Sequence, residues 1–110
     1  MDRRRYKRIH VDLPVQYSRN QMARATNLSL SGLNLLTERF LAKGTIVFLV
    51  IGFPDEELKV VGEVRWSKVS AQGQFENGVE FFFMDNNYKK KIKDFIKLQE
   101  KGPAVAVEQN

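Results

Sequence analysis

The chain contains no cysteine. This excludes disulfides, thiolate metal sites and a cysteine nucleophile. It has a single histidine, His10, with no cysteine to accompany it, so neither a zinc site nor a catalytic triad is expected around it. His10 reads as a partly exposed residue at the start of a strand. No apolar run approaches the roughly 20 residues of a bilayer span. The longest run, Ile46 to Ile51, reads as a buried strand. The basic start Met1-Asp2-Arg3-Arg4-Arg5 is not followed by the apolar stretch of a signal peptide, so a cytoplasmic setting is expected. Neither an internal repeat nor a second domain is visible. With no nucleophile–base pair and no metal cluster, an enzyme is not expected.

What is present is an ordinary globular composition. Over 110 residues, 43% are hydrophobic and 28% charged, enough for one modest core and too apolar for disorder throughout. The net charge of +5 is concentrated at the ends. Residues 3–8 carry five positive charges and no negative one. Residues 88–101 carry six lysines against Asp94 and Glu100, and the rest of the chain sums to −4. An anionic partner is therefore expected at an end.

Along the chain, Val11, Leu13, Val15 and Tyr17 alternate with polar residues or proline, the period-two pattern of a strand with one buried face. Pro14 cannot donate to a ladder, so this strand is expected at an edge or with that amide facing outward. Further strands are predicted over 22–28, 33–37, 45–53 and 58–69, and from Gly78 to Phe83. They are separated by Ser31-Gly32, Lys43-Gly44, Pro54 to Glu57, and the loop Ser70 to Gln74. Six short strands predict an all-β, closed or nearly closed antiparallel barrel. Then the period changes. Asp85 or Asn86 caps a predicted helix with Tyr88, Ile92, Phe95, Ile96 and Leu98-Gln99 on one side. Gly102-Pro103 is expected to end it. The organisation read from this is a flexible basic arm at 1–8, a barrel with its helix at 9–101, and a disordered tail at 102–110.

Two motifs carry the functional signal: Arg4-x-x-x-Arg8, and Asn27-x-Ser29-x-x-Gly32 after it. Taken alone, the first is a basic arm, usually a solvated charge run or a nucleic-acid patch. Likewise the second is a tight turn, with Asn27 and Ser29 bonding nearby backbone and Gly32 at positive φ. In this order, with a strand between them, the pair resembles the signature of PilZ domains, a family of bacterial cyclic di-GMP receptors with a six-stranded barrel and a C-terminal helix. The segments Gly62-Glu63-Val64-Arg65-Trp66 and Gly78-Val79-Glu80-Phe81 look like the family's late strands. The resemblance covers residues 3–98. It implies cyclic di-GMP as ligand, with Arg4, Arg8, Asn27, Ser29 and Gly32 in the site. Arg3, immediately before the motif, is similar to the second arginine of family members that bind an intercalated pair of ligands, so two molecules per chain are expected. The chemistry is consistent, since guanidinium forks suit both phosphate oxygens and the guanine O6/N7 edge.

The expected action is that of a cytoplasmic receptor whose arginine arm orders over the barrel on binding and is read by a downstream protein. Arg5 and Lys7 are taken as general electrostatics, and Ser31 as structural. The sequon Asn27-Leu28-Ser29 is set aside because no signal peptide is expected. Two alternatives remain open: a small β-barrel nucleic-acid binder, and a PilZ-like adaptor that works by protein contact alone. For the first, Trp66 and Phe81-Phe82-Phe83 would be a stacking platform, although their simpler reading is core, with Phe81 and Phe83 on one face. The lysines of 89–101 read as the wet face of the helix, or as a docking surface for an acidic partner.

Overall fold

A computed structural model describes residues 7–108, with side chains for 7–100. Strands β1 (Ile9–Tyr17), β2 (Gln21–Leu28), β3 (Gly32–Thr37), β4 (Ile46–Gly52), β5 (Glu57–Val69) and β6 (Phe75–Phe83) precede the helix α1 (Asn86–Glu108). All strand pairings are antiparallel and close a barrel in the order β1-β2-β3-β6-β5-β4. The expected all-β barrel with a C-terminal helix is what the chain forms.

Alternation builds the core. Leu13, Val15 and Tyr17 of β1, Val47, Leu49 and Ile51 of β4, and Leu58, Val60 and Val64 of β5 all point inward and are buried. Burial also pushes the Tyr17 phenol above its usual pKa, because a charged phenolate is poorly solvated there. Ile92 and Ile96 of α1 join the same cluster, and Phe95 meets Phe53 edge-to-face at 4.9 Å. The helix thus plugs the barrel. Lys91 bonds Glu56 at 2.6 Å, tying α1 to the β4–β5 turn and raising the lysine's pKa.

Several expectations need correction. Pro14 lies on no simple edge: β1 pairs with β2 along its length, while the β1–β4 ladder begins only at Val15. The proline sits just ahead of that ladder. Strand β6 starts at Phe75 rather than Gly78, because the buried polar Asn77 interrupts the apolar pattern without interrupting the strand. Its amide donates to the Leu35 carbonyl at 2.9 Å and to Thr37 Oγ1 at 3.0 Å, and its Oδ1 accepts from Ser67 at 2.8 Å. Phe81 and Phe83 do not share a face. The β5–β6 register shifts between Val61 and Gly62, so Phe81 opposes the inward Gly62 and Phe83 the outward Val61. Leu98 is 63% exposed, outside the stripe of Ile92 and Ile96. The helical backbone continues through Gly102-Pro103 to Glu108. A proline there removes one N–H donor from the ladder, and the backbone runs on past it.

Candidate functional site

Strand pairing brings the two motifs together. Ile9 opposes Leu28 and His10 opposes Asn27, so the residue entering β1 meets the end of β2. Arg8 Nη1 donates to Asn27 Oδ1 at 2.8 Å, and the same oxygen accepts the Asn34 backbone N–H at 3.2 Å. A register shift between Ala25 and Asn27 aligns Asn27 with Asn34 across β2–β3. The amide oxygen holds the guanidinium without cancelling its charge, as a carboxylate would. The contact is that of a charged donor with a neutral acceptor.

The following turn is built from its own side chains. Ser29 N–H donates to the Gly32 carbonyl at 2.9 Å. Ser29 Oγ accepts the Ser31 N–H at 3.1 Å and lies 3.1 Å from Ser31 Oγ. Ser29 is fully buried, so its hydroxyl serves the turn. Phe81 N–H donates to the Ser31 carbonyl at 2.8 Å, which pins the turn to β6.

Gly32 is needed for a different reason from the one expected. It is not among the described residues with positive φ, which are Ser18, Gly44 and Gly73. Instead it opens β3 opposite Glu80, and a Cβ there would lie 2.1 Å from the Val79 carbonyl oxygen. Only a residue without a side chain allows that approach.

Arg3 and Arg4 lie outside the described residues. Lys7, at the root of the arm, forms an ion pair with Glu100 of α1 at 2.6 Å. The arm's root is thus held on two sides, by the helix and by β2. Beyond the turn, Leu30 borders two cavities. One, of about 540 Å³, is lined by Phe81 to Met84 and by Lys89, Lys90 and Lys93. The other, of about 230 Å³, is lined by Lys7, Lys93, Ile96, Lys97 and Glu100. Sequence reasoning missed the Asn34 backbone donor, Leu30 and the Lys7–Glu100 tie. A lysine between the motif arginines was the only signal for the last.

Trp66 and Phe81 to Phe83 do not form one aromatic platform. Trp66 covers Gly78, whose added Cβ would fall 2.2 Å from the indole Nε1, and Lys68 Nζ lies 5.6 Å from the indole ring. His10 is exposed, and among the described residues no group of three or more His, Cys, Asp or Glu is placed to hold a metal. No helix among the described residues is long and apolar enough to cross a membrane.

These features define a small β-barrel domain in which Arg8, just ahead of β1, is held against Asn27 at the β2–β3 end. The model of the PilZ domain matches residues 2–98, and the chain belongs to that family. Among solved structures it is similar to the inhibitor of motility MotI/DgrA of Bacillus subtilis, with a TM-score of 0.82 and 18% identity over 92% of this chain and 53% of that one. It is also similar to Escherichia coli YcgR in complex with c-di-GMP, with a TM-score of 0.80 and 17% identity over 97% of this chain and 50% of that one. The isolated PilZ domain of YcgR with c-di-GMP aligns with a TM-score of 0.76 and 14% identity, over 99% of this chain and 100% of that one. The chain spans about half the length of MotI and YcgR. No curated protein matches it significantly by sequence.

Proposed function

We propose that this chain is a receptor for cyclic di-GMP and not an enzyme, and that it acts in the cytoplasm through a downstream protein. The observation that carries the reading is the Arg8–Asn27 contact, which joins the two halves of the motif at one end of the barrel. Membership of the PilZ family and the ligand in the YcgR complexes support it. In this reading Arg4 and Arg8 grip phosphate and the guanine Hoogsteen edge, while Asn27 and the turn ending at Gly32 present the surface on which a base lies. Ser29 acts from within the turn, keeping it rigid.

The signal is a change in the arm. Five positive charges within residues 3–8 repel one another, and a dianionic ligand relieves that repulsion and draws the arm over the turn. The ligand shifts this equilibrium only by its differential affinity for the two arm states. Lys7, paired with Glu100, passes the movement to α1.

Titration calorimetry with cyclic di-GMP tests the reading. Saturable binding that is lost in Arg4→Ala and Arg8→Ala is expected, and no heat from the folded parent overturns it. The exposed Phe82 and Phe83 beside the α1 lysines favour a second reading, a nucleic-acid binder. That alternative predicts steeply salt-dependent affinity for single-stranded DNA or RNA and no response to the nucleotide.

A further inference from the structure

The outer face of β4, β5 and β6 carries an apolar row whose end residue, Phe83, also borders the cavity beside Leu30. Phe48 opposes Val61 across β4–β5, and Val61 opposes Phe83 across β5–β6. All three point away from the core, and Phe48 and Phe83 are 63% and 73% exposed. One exposed phenylalanine needs no explanation, but two joined by a valine across three adjacent strands form a contiguous patch.

The rows on either side of it differ in charge. On one side Val50 opposes Lys59; on the other Ile46 opposes Glu63, which in turn opposes Glu80. Arg65 Nη1 lies 3.1 Å from Glu80 but 3.9 Å from Glu63. Glu63 is therefore the less compensated of the two carboxylates. Lys59 is exposed.

This arrangement is self-complementary. A twofold axis laid along the row Phe48–Val61–Phe83 sets two copies face to face with their strands antiparallel across the interface. Phe48 then meets Phe48 and Phe83 meets Phe83. Val50 of each copy faces Ile46 of the other, and Lys59 of each faces Glu63 of the other. An isologous contact requires such a match between the two halves of one patch. A partner of single-sign charge would meet a like charge in one flanking row.

We propose that the outer face of β4–β5–β6 is a homodimer interface, centred on Phe48, Val61 and Phe83 and set in register by Lys59–Glu63 pairs between copies. The patch is small against the roughly 800 Å² per partner of a standard interface, so dimerisation is expected over roughly 10–100 µM.

Sedimentation equilibrium of the full chain across that range tests it. The parent should pass from monomer to dimer, and Phe48→Glu should remain monomeric tenfold above the parent's midpoint. Circular dichroism checks its fold, since an exposed position on β4 tolerates the change. A charge-swap arm does not depend on that variant. Lys59→Glu alone and Glu63→Lys alone should each dimerise at least fivefold more weakly than the parent. Their equimolar mixture should recover the parent's dimer, because every cross-interface pair is then again of opposite sign. A parent that stays monomeric throughout overturns the proposal. So does a dimer indifferent to Phe48→Glu, or a mixture no tighter than the single variants.

Discussion

Asn27 Oδ1 accepts a hydrogen bond from Arg8, and Gly32 sets how close the turn lies to β6. Removing the guanidinium in Arg8→Ala should leave the fold intact and cost about 2–3 kcal/mol of ligand binding, or roughly thirty- to 150-fold in affinity by calorimetry. Arg8→Lys should recover only part of this, because an ammonium is a point donor and not a planar fork. Arg4→Ala should lose as much. Gly32 carries a stability prediction of another kind. Its added Cβ would sit 2.1 Å from a backbone oxygen, whereas at Gly44, with φ 91°, nothing lies within 4 Å. Gly32→Ala should lower the free energy of unfolding, read by denaturant titration, by about 1–3 kcal/mol through a clash that forces β3 from β6. Gly44→Ala should cost about 1 kcal/mol through backbone strain alone. If the two cost the same and ligand affinity is unaffected, the close approach at Gly32 has no role in shaping the site.

At the scale of elements, most of the barrel was legible because inward and outward residues alternate along β1, β4 and β5. What alternation could not show are the places where it slips. The register shifts between Val61 and Gly62 and between Val64 and Trp66 turn Phe83 outward and lay Trp66 over Gly78. Nothing in a one-dimensional pattern marks a bulge in advance. The buried Asn77 hid the first half of β6 in the same way. For the site, the pairing of Arg8 with the Asn27 turn was legible from the two motifs. The internal use of the Ser29 hydroxyl and the Lys7–Glu100 tie depend on folded geometry. The helix gives a sharp contrast to measure. Ile92 is fully buried and Leu98 63% exposed, so Ile92→Ala should cost about 2–4 kcal/mol, while Leu98→Ala should change stability by less than about 0.5 kcal/mol. Equal costs in urea unfolding would mean that α1 does not seat on the barrel through Ile92. Glu100→Gln should release Lys7 with a small effect, since an exposed ion pair contributes about 0.2–1 kcal/mol. Calorimetry should then show ligand affinity raised by no more than roughly fivefold.

The whole molecule is basic at its ends and acidic between them, and this distribution bears on how many ligands it holds. One cyclic di-GMP brings two negative charges, and a stacked pair brings four to one place. Arg4 and Arg8 alone match the first case. The second needs further cations at the arm, and the sequence supplies Arg3 next to Arg4, with Arg5 and Lys7 strengthening the local field. Lys7 is partly committed to Glu100, which leaves Arg3 as the additional guanidinium for the outer ligand. Calorimetry on the parent should therefore saturate at two ligands per chain. Arg3→Leu should move that value toward one while retaining binding through Arg4 and Arg8. If Arg3 is only a solvated charge, its removal will weaken affinity slightly and leave the stoichiometry at two. A parent that saturates at one ligand per chain removes the stacked pair altogether, while leaving the assignment of Arg4 and Arg8 to be judged on their own variants.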